Sequence, residues 1–543
     1  MNKIFFLFVF LFLSSCSDNN KNYQSKNYEG NYEKHYGGTL KNAMVGEPNN
    51  LIAMIAGDSA SSAIAGKIFN TLLTYDENLK LTGEVAKSWK LSSDKKTITF
   101  YLNTKMHWAD SVPLTCKDIF FTWKVVTNPE TRTPYASDYQ LVKKAECKDD
   151  HTFIITYQEP YAPALDTWAT LHILPKHKLE HEDINNTFFS RNPTGSSFYK
   201  LKEWVPGQYL SLETNENSIL GKPFISKMIS RIIPDLSSQF MELSAENLDF
   251  MSINPIQYKR IFPKRKDLNN NYELNKELGN GYTYFGFNLQ KKPFNNINIR
   301  KAIDLAINKQ EIIDGVLLGL GFEITSPYKP ETFWYNSNIS KTNFNPDEAK
   351  RLIESEGFKL NEQNIYSRNG ELLKFEILTN QNKQREMTAV LIQRRLKEIG
   401  VDVSIRVLEW ASFINQYIKT GDFESVVLGW SLSLDPDQFN IWHSTQNGPG
   451  QFNFINFNNK RVDKLLERGR KELDIKKRKQ IYDEFSEIIY EEKPVIFLYA
   501  GYGLNAIHKR IKGIKNPPPP AGTFHFMEKN WYIPSKFIRN EIN

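Results

Sequence analysis

A chain of 543 residues is too long for one ordinary hydrophobic core and implies two to four domains. Its 40% hydrophobic and 13% aromatic residues are ample for burial and exclude a disordered protein. A net charge of +7 is small for this length, and lysines and arginines are interleaved with acids, so no nucleic-acid partner is expected.

In chain order, the first predicted element is a leader. MNKIFFLFVFLFLSSCS has Lys3, an apolar run over 4–13 and small residues before Cys16. The run is too short to span a bilayer as a mature helix and has the charged start of a secretory signal, assigned to residues 1–15. Leu13-Ser14-Ser15-Cys16 resembles a bacterial lipoprotein box, in which the cysteine becomes the first mature residue and carries acyl chains. More than one such chain holds a protein stably at a membrane. Residues 16–36, polar and poor in aliphatics, read as a flexible tether. Nothing later is long and apolar enough for a membrane helix. The body is therefore expected outside the cytoplasm, lipid-anchored to a bacterial membrane on its periplasmic side or at the cell surface. Cys116 and Cys147 are an even pair in an oxidising compartment, where a disulfide is allowed.

From Gly38 onward strands and helices alternate. TITFYL at 97–102 and TFIITY at 152–157 read as strands, with a helix over 116–126 capped by Thr115. YTYFGFNL at 282–289 alternates as a half-buried strand, and 299–318 reads as one helix with Ile303, Ile307 and Ile312 near one face. Asn345-Pro346-Asp347-Glu348 starts a helix that Gly357 ends. A helix over 389–399 stops at Gly400, a strand over 401–407 follows, then a helix from Ala411 and a strand over 424–428. This strand–helix–strand order with short links indicates α/β construction. Charged helical sequence over 460–492 leads into VIFLYA, and the prolines at 517–520 form a stiff spacer.

Two motifs suggest chemistry that their context opposes. His177-Lys178-Leu179-Glu180-His181 has the H-x-x-E-H spacing of inverted zinc peptidases, but it follows Pro175 and runs into poor helix, so no metal is expected. SSAIAGKI at 61–68 approaches a phosphate loop, yet lacks the first glycine and has Ile68 where a magnesium-binding hydroxyl belongs. There is no G-x-S-x-G elbow and no C-x-x-C, so neither an enzyme nor a cofactor is expected.

Longer stretches resemble a known family. GEPNNLIAMIAGDSASSAIAGKIFNTLLTYDENLKLTGEVAKSWKLSSDKKTITFYL, HWADSVPLTCKDIFFTW and NPETRTPYASDYQL are similar to landmarks of the bacterial extracellular solute-binding proteins of family 5. So are ILPKHKLE, NPTGSSFYKLKEW, GFNLQKKPFNNINIRKAIDLAIN and FNPDEAKRLIESEGF, and coverage runs from about Gly38 to Tyr502. The resemblance implies an α/β fold of the type II periplasmic-binding-protein kind, with two lobes, an extra inserted domain and a hinged ligand cleft. It divides the chain into lobe I (37–71, 189–287 and 501–543), an inserted domain II (72–188) and lobe III (288–500). Ligand would stabilise the closed state only through contacts to both lobes.

The same resemblance points to cleft residues. Gly57-Asp58-Ser59 matches a ligand-touching loop and Tyr135 an aromatic position of the groove. Trp410 and Trp430 follow two strands of lobe III, where strand ends carry ligands in α/β sheets. Where peptide-binding members have an acid for the ligand's α-amine, this chain has Ser433, in Trp430-Ser431-Leu432-Ser433. Asp435 and Asp437 belong to the turn beyond, Asp58 is an alternative source of charge, and Lys383 or Arg385 would meet a carboxylate. The implied function is a monomeric, lipid-anchored receptor that delivers oligopeptides or a related solute to the permease of an ABC importer. A non-peptide solute (nickel chelate, sugar or signal peptide) and a chaperone-like surface lipoprotein are the alternatives, with an anchored hydrolase the least supported.

Overall fold

The computed structural model describes residues 28–279, 281–514 and 528–539. The expected leader, Cys16 and the proline run at 517–520 lie outside them. Among the described residues no helix is long and apolar enough to cross a membrane.

A twelve-stranded sheet runs through both lobes. Its first part orders the strands Tyr199–Val205, Tyr209–Thr214, Lys227–Ile232, Thr39–Met44 and Phe250–Ser252. Its second part contains Gly281–Phe287, Ser425–Ser431, Lys374–Asn380 and Asp402–Leu408. The strand Val495–His508 belongs to both. Residues 495–499 pair with Gly281–Phe287, and residues 502–508 pair with Tyr272–Leu278. Gly281–Phe287 is hydrogen-bonded to Ser425–Ser431 and so joins the second part of the sheet. The alternation in YTYFGF explains its fit. Tyr282 and Tyr284 enter the core on one face of this sheet, Phe285 and Phe287 the core on the other.

A separate four-stranded antiparallel sheet is confined to the inserted region: Ala86–Leu91, Thr97–Leu102, Thr152–Tyr157 and Val142–Asp149. The helix Cys116–Thr127 starts in a capping box of Thr115 and Asp118. Cys116, at its first turn, is disulfide-bonded to Cys147, with the Cα atoms 5.8 Å apart.

One expectation is corrected. The helix read over 299–318 is two helices, Ile297–Ala306 and Lys309–Gly315, because the Asn308 side chain caps the second by accepting from Glu311 N. The break lets Asp304 take both Lys309 and Lys493, each at 2.8 Å, in a buried triad. In the stretch expected as a tether, residues 29–36 are mostly exposed, while Tyr28 packs inward. Tyr28 is 6% exposed, its ring against His508 and Phe537.

Candidate functional site

The strands Lys374–Asn380, Asp402–Leu408 and Ser425–Ser431 run parallel. Their carboxyl ends present Asn380, Trp410 (two residues beyond Leu408) and Gly429-Trp430 along one edge, where α/β sheets leave a crevice.

Trp410 crosses from this edge to the first lobe. Its Nε1 donates to Asp58 Oδ1 at 3.4 Å, and its ring lies against Gly46 so closely that a Cβ there would stand 2.7 Å from Cδ1. Asn415 donates to Asn49 Oδ1 at 2.9 Å beside it. Asp58 caps the helix Ser59–Ile68. Its Oδ1 also accepts from Ser61 N, and its Oδ2 accepts from Ser61 Oγ at 2.6 Å and from Asn49 Nδ2 at 3.2 Å. A carboxylate offers about four acceptor positions. All are occupied, so Asp58 ties the lobes together and has no acceptor left for a ligand amine. Ser59 is exposed at the start of the same helix.

Tyr135, from the inserted region, meets the edge through a residue that sequence reasoning missed. Phe452 packs edge-on to Tyr135 and to Trp430, each at a centroid distance of 5.3 Å. Its Cε1 also lies 3.4 Å from where a Cβ on Gly57 would stand, and Gly57 has φ +66°. One ring therefore touches both lobes and the insert. Burial raises the Tyr135 phenol well above its ordinary value, with Asp138 and Asp58 adding to it. The alternation of Phe452 and Phe454 in QFNFINF was the available signal, and Phe454 backs Trp430 at 5.8 Å.

Arg385 stands in the first turn of the helix Lys383–Glu398, half-buried. Its Nη1 donates to Asn380 Oδ1 at 2.8 Å, and its Nη2 lies 3.1 Å from a Cβ built on Gly429. Among the described residues no carboxylate forms an ion pair with it. Burial lowers its pKa, partly offset by Tyr499 and Tyr284. Lys383 is exposed and lies 3.5 Å from Glu386 of its own helix.

The acids after Trp430 serve the framework. Ser431 and Ser433 are exposed, and Ser433 Oγ donates to the Asp435 carbonyl. Asp435 receives both Arg478 nitrogens at 2.7 Å. Burial pushes its carboxyl up against the holding effect of Arg478. Asp437 receives Arg470 Nε at 2.8 Å. Arg470 also reaches Asp138 of the inserted region, and its guanidinium covers Phe439 at 3.8 Å. His177, of the zinc-like motif, is 2.9 Å from Asp110 and stands on a four-residue helix. A cavity of about 530 Å³ shares no residue with the interlobe seam, and its Glu356 is already occupied by Asn296 and Asn298.

Residues 80–452 match the family described as bacterial extracellular solute-binding proteins, family 5 Middle. The chain belongs to that family. Across 535 residues it is 30% identical to the oligopeptide-binding protein AppA of Bacillus subtilis (strain 168), covering 96% of both chains. The structure of B. subtilis AppA in complex with a nonapeptide superposes with a TM-score of 0.87 at 28% identity, over 92% of this chain and 100% of that one. NikZ from Campylobacter jejuni in complex with Ni(L-His) gives 0.83 at 27% identity, over 91% and 99%. The family 5 architecture of two lobes with an inserted domain is the one described above. Family 5 members are extracellular solute-binding proteins, and the seam between the lobes is the candidate solute site.

Proposed function

We propose that this protein is the lipid-anchored, monomeric receptor of an ABC importer, and that it closes on oligopeptides and passes them to a membrane permease without catalysing a reaction. In this reading lobe I comprises 37–71, 189–287 and 501–543 apart from the strand that joins the second sheet. The insert is 72–188 and lobe III is 288–500. Cys16 carries the lipid.

The observation that carries the reading is the meeting of Trp410 with Asp58 and of Phe452 with Tyr135, Trp430 and Gly57. Side chains from both lobes and the insert converge beside the carboxyl ends of three parallel strands. Resemblance to a protein solved with a nonapeptide supports a peptide as the ligand. Ser431 and Ser433 line the seam as neutral contacts, Asp435 supports the turn behind them, and Ser59 flanks the Asp58 contact. Arg385, without a carboxylate partner, is the group we assign to the ligand's carboxyl. With Ser433 in place of an acid and Asp58 already occupied, a free α-amine is not the anchor.

Native mass spectrometry of the protein as purified, followed by thermal shift against a synthetic peptide library, tests this. Co-purifying peptide or stabilisation by library members is the expected result. No shift across a broad library would remove the peptide assignment, and peptide cleavage would remove the non-enzymatic one.

A further inference from the structure

Tyr28, Tyr32 and Tyr36 recur every fourth residue in the segment that composition marks as a loose leash; Tyr28 is buried, Tyr32 half-buried, and Tyr36 keeps one ring face on the protein while 53% exposed. The Tyr28 ring lies 5.3 Å from His508, edge-on, and 4.9 Å from Phe537, while its carbonyl accepts from Lys512 Nζ at 2.7 Å. The Tyr32 ring is 5.3 Å from Phe537 and lies under Lys536 Nζ at 4.2 Å. Its carbonyl accepts from Tyr532 OH at 3.0 Å. Tyr36 stacks on Phe224 at 4.6 Å, and Gly37 N donates to the Phe224 carbonyl at 2.7 Å. The receiving surface is itself fixed. His508 is fully buried, and Arg539 lies 2.9 Å from its Nε2.

A polar stretch with three rings spaced to fall on aromatic and lysine partners from three distant parts of the chain is a built contact. We propose that residues 28–38 form a docked strap that fixes where the N-terminal segment leaves the first lobe. The N-terminal segment thereby leaves the body beside Lys512 and Phe537. This rests on the lipid-anchor reading. It changes the geometry of display. A free leash from Cys16 to Gly37 would extend to about 76 Å, whereas the strap leaves only the part before Tyr28, about 43 Å at full stretch.

The test uses protein that starts at Cys16 with the Cys116–Cys147 disulfide closed. First, chymotrypsin cleavage after Tyr28 and Tyr32 is timed in the protein and in a peptide of residues 22–42. We expect cleavage at least ten-fold slower in the protein, and acceleration in Phe537→Ala, which keeps both reporter tyrosines. Equal rates in protein and peptide would overturn the strap. Second, the Cys16 thiol is coupled to a maleimide lipid in a supported phosphatidylcholine bilayer, and neutron reflectometry measures the gap to the body. Tyr28→Ala/Tyr32→Ala should widen the gap toward the longer limit. An unchanged gap would overturn the shortening of the leash. If that variant fails to fold, the cleavage comparison on the unmodified chain still decides. Since the lipid is attached chemically, absence of acyl mass on Cys16 in cells would remove the anchor reading alone.

Discussion

Trp410 donates from its indole nitrogen to Asp58, a residue of the opposite lobe that already caps a helix there. The bond exists only while the lobes are together, so its loss should change ligand binding far more than folding. Trp410→Phe keeps the ring and should weaken binding of a library-selected peptide by about fivefold, or about 1 kcal/mol, by calorimetry. An equal fall in melting temperature of the ligand-free protein would contradict this.

Gly46 is the complementary site. Its missing side chain admits the Trp410 ring. Gly46→Ala should obstruct closure with an overpacking cost of about 1–3 kcal/mol and lower peptide affinity by roughly ten- to a hundredfold. Small-angle scattering with saturating peptide should show an expanded molecule relative to the unsubstituted protein.

Arg385 should discriminate ligand end groups. Peptides with a free carboxyl terminus should bind more tightly than their amides, by about 2 kcal/mol or roughly thirtyfold. Arg385→Gln should abolish the difference and leave amide binding nearly unchanged. Equal preference in the unsubstituted protein would dismiss the assignment.

Arg470 lies between Asp138 of the insert and Asp437 of its own lobe, with its side chain 5% exposed. Arg470→Met should leave two half-buried carboxylates facing each other and destabilise by about 3 kcal/mol. Adding Asp138→Asn and Asp437→Asn should restore most of the loss in a denaturant melt.

His172 supplies a pH dependence. Burial lowers its pKa to about 4, and its Nδ1 has no partner. The unfolded chain takes up this proton near 6.5, so the folded state loses stability as pH falls from about 6.5 to about 4, by up to about 3 kcal/mol. Asp138 and Asp435, both pushed up to about 6, act in the opposite sense. The His172 contribution is therefore read as the difference between the unsubstituted protein and His172→Asn, which should shrink across that window.

How far the fold could be read from sequence varied with how local its causes are. The Thr115 cap, the Asn345-Pro346 helix start and the Tyr282–Phe287 alternation are set by neighbouring residues and were legible. The division at Asn308 was not, since isoleucines on one face continue across it and the buried Asp304 is balanced by the distant Lys493 as well as by Lys309. At the site, Trp410 and Trp430 follow from strand-end logic. Phe452, Arg470 and the saturation of Asp58 depend on which surfaces meet after folding, as do the aromatic partners of Tyr28 and Tyr32.

The strand Val495–His508 closes the sheet of one lobe with its first residues and that of the other with its last. Neither lobe can complete its hydrogen-bonded framework until about nine-tenths of the chain has been synthesised. Both halves are therefore completed together, by one late strand, rather than one after the other.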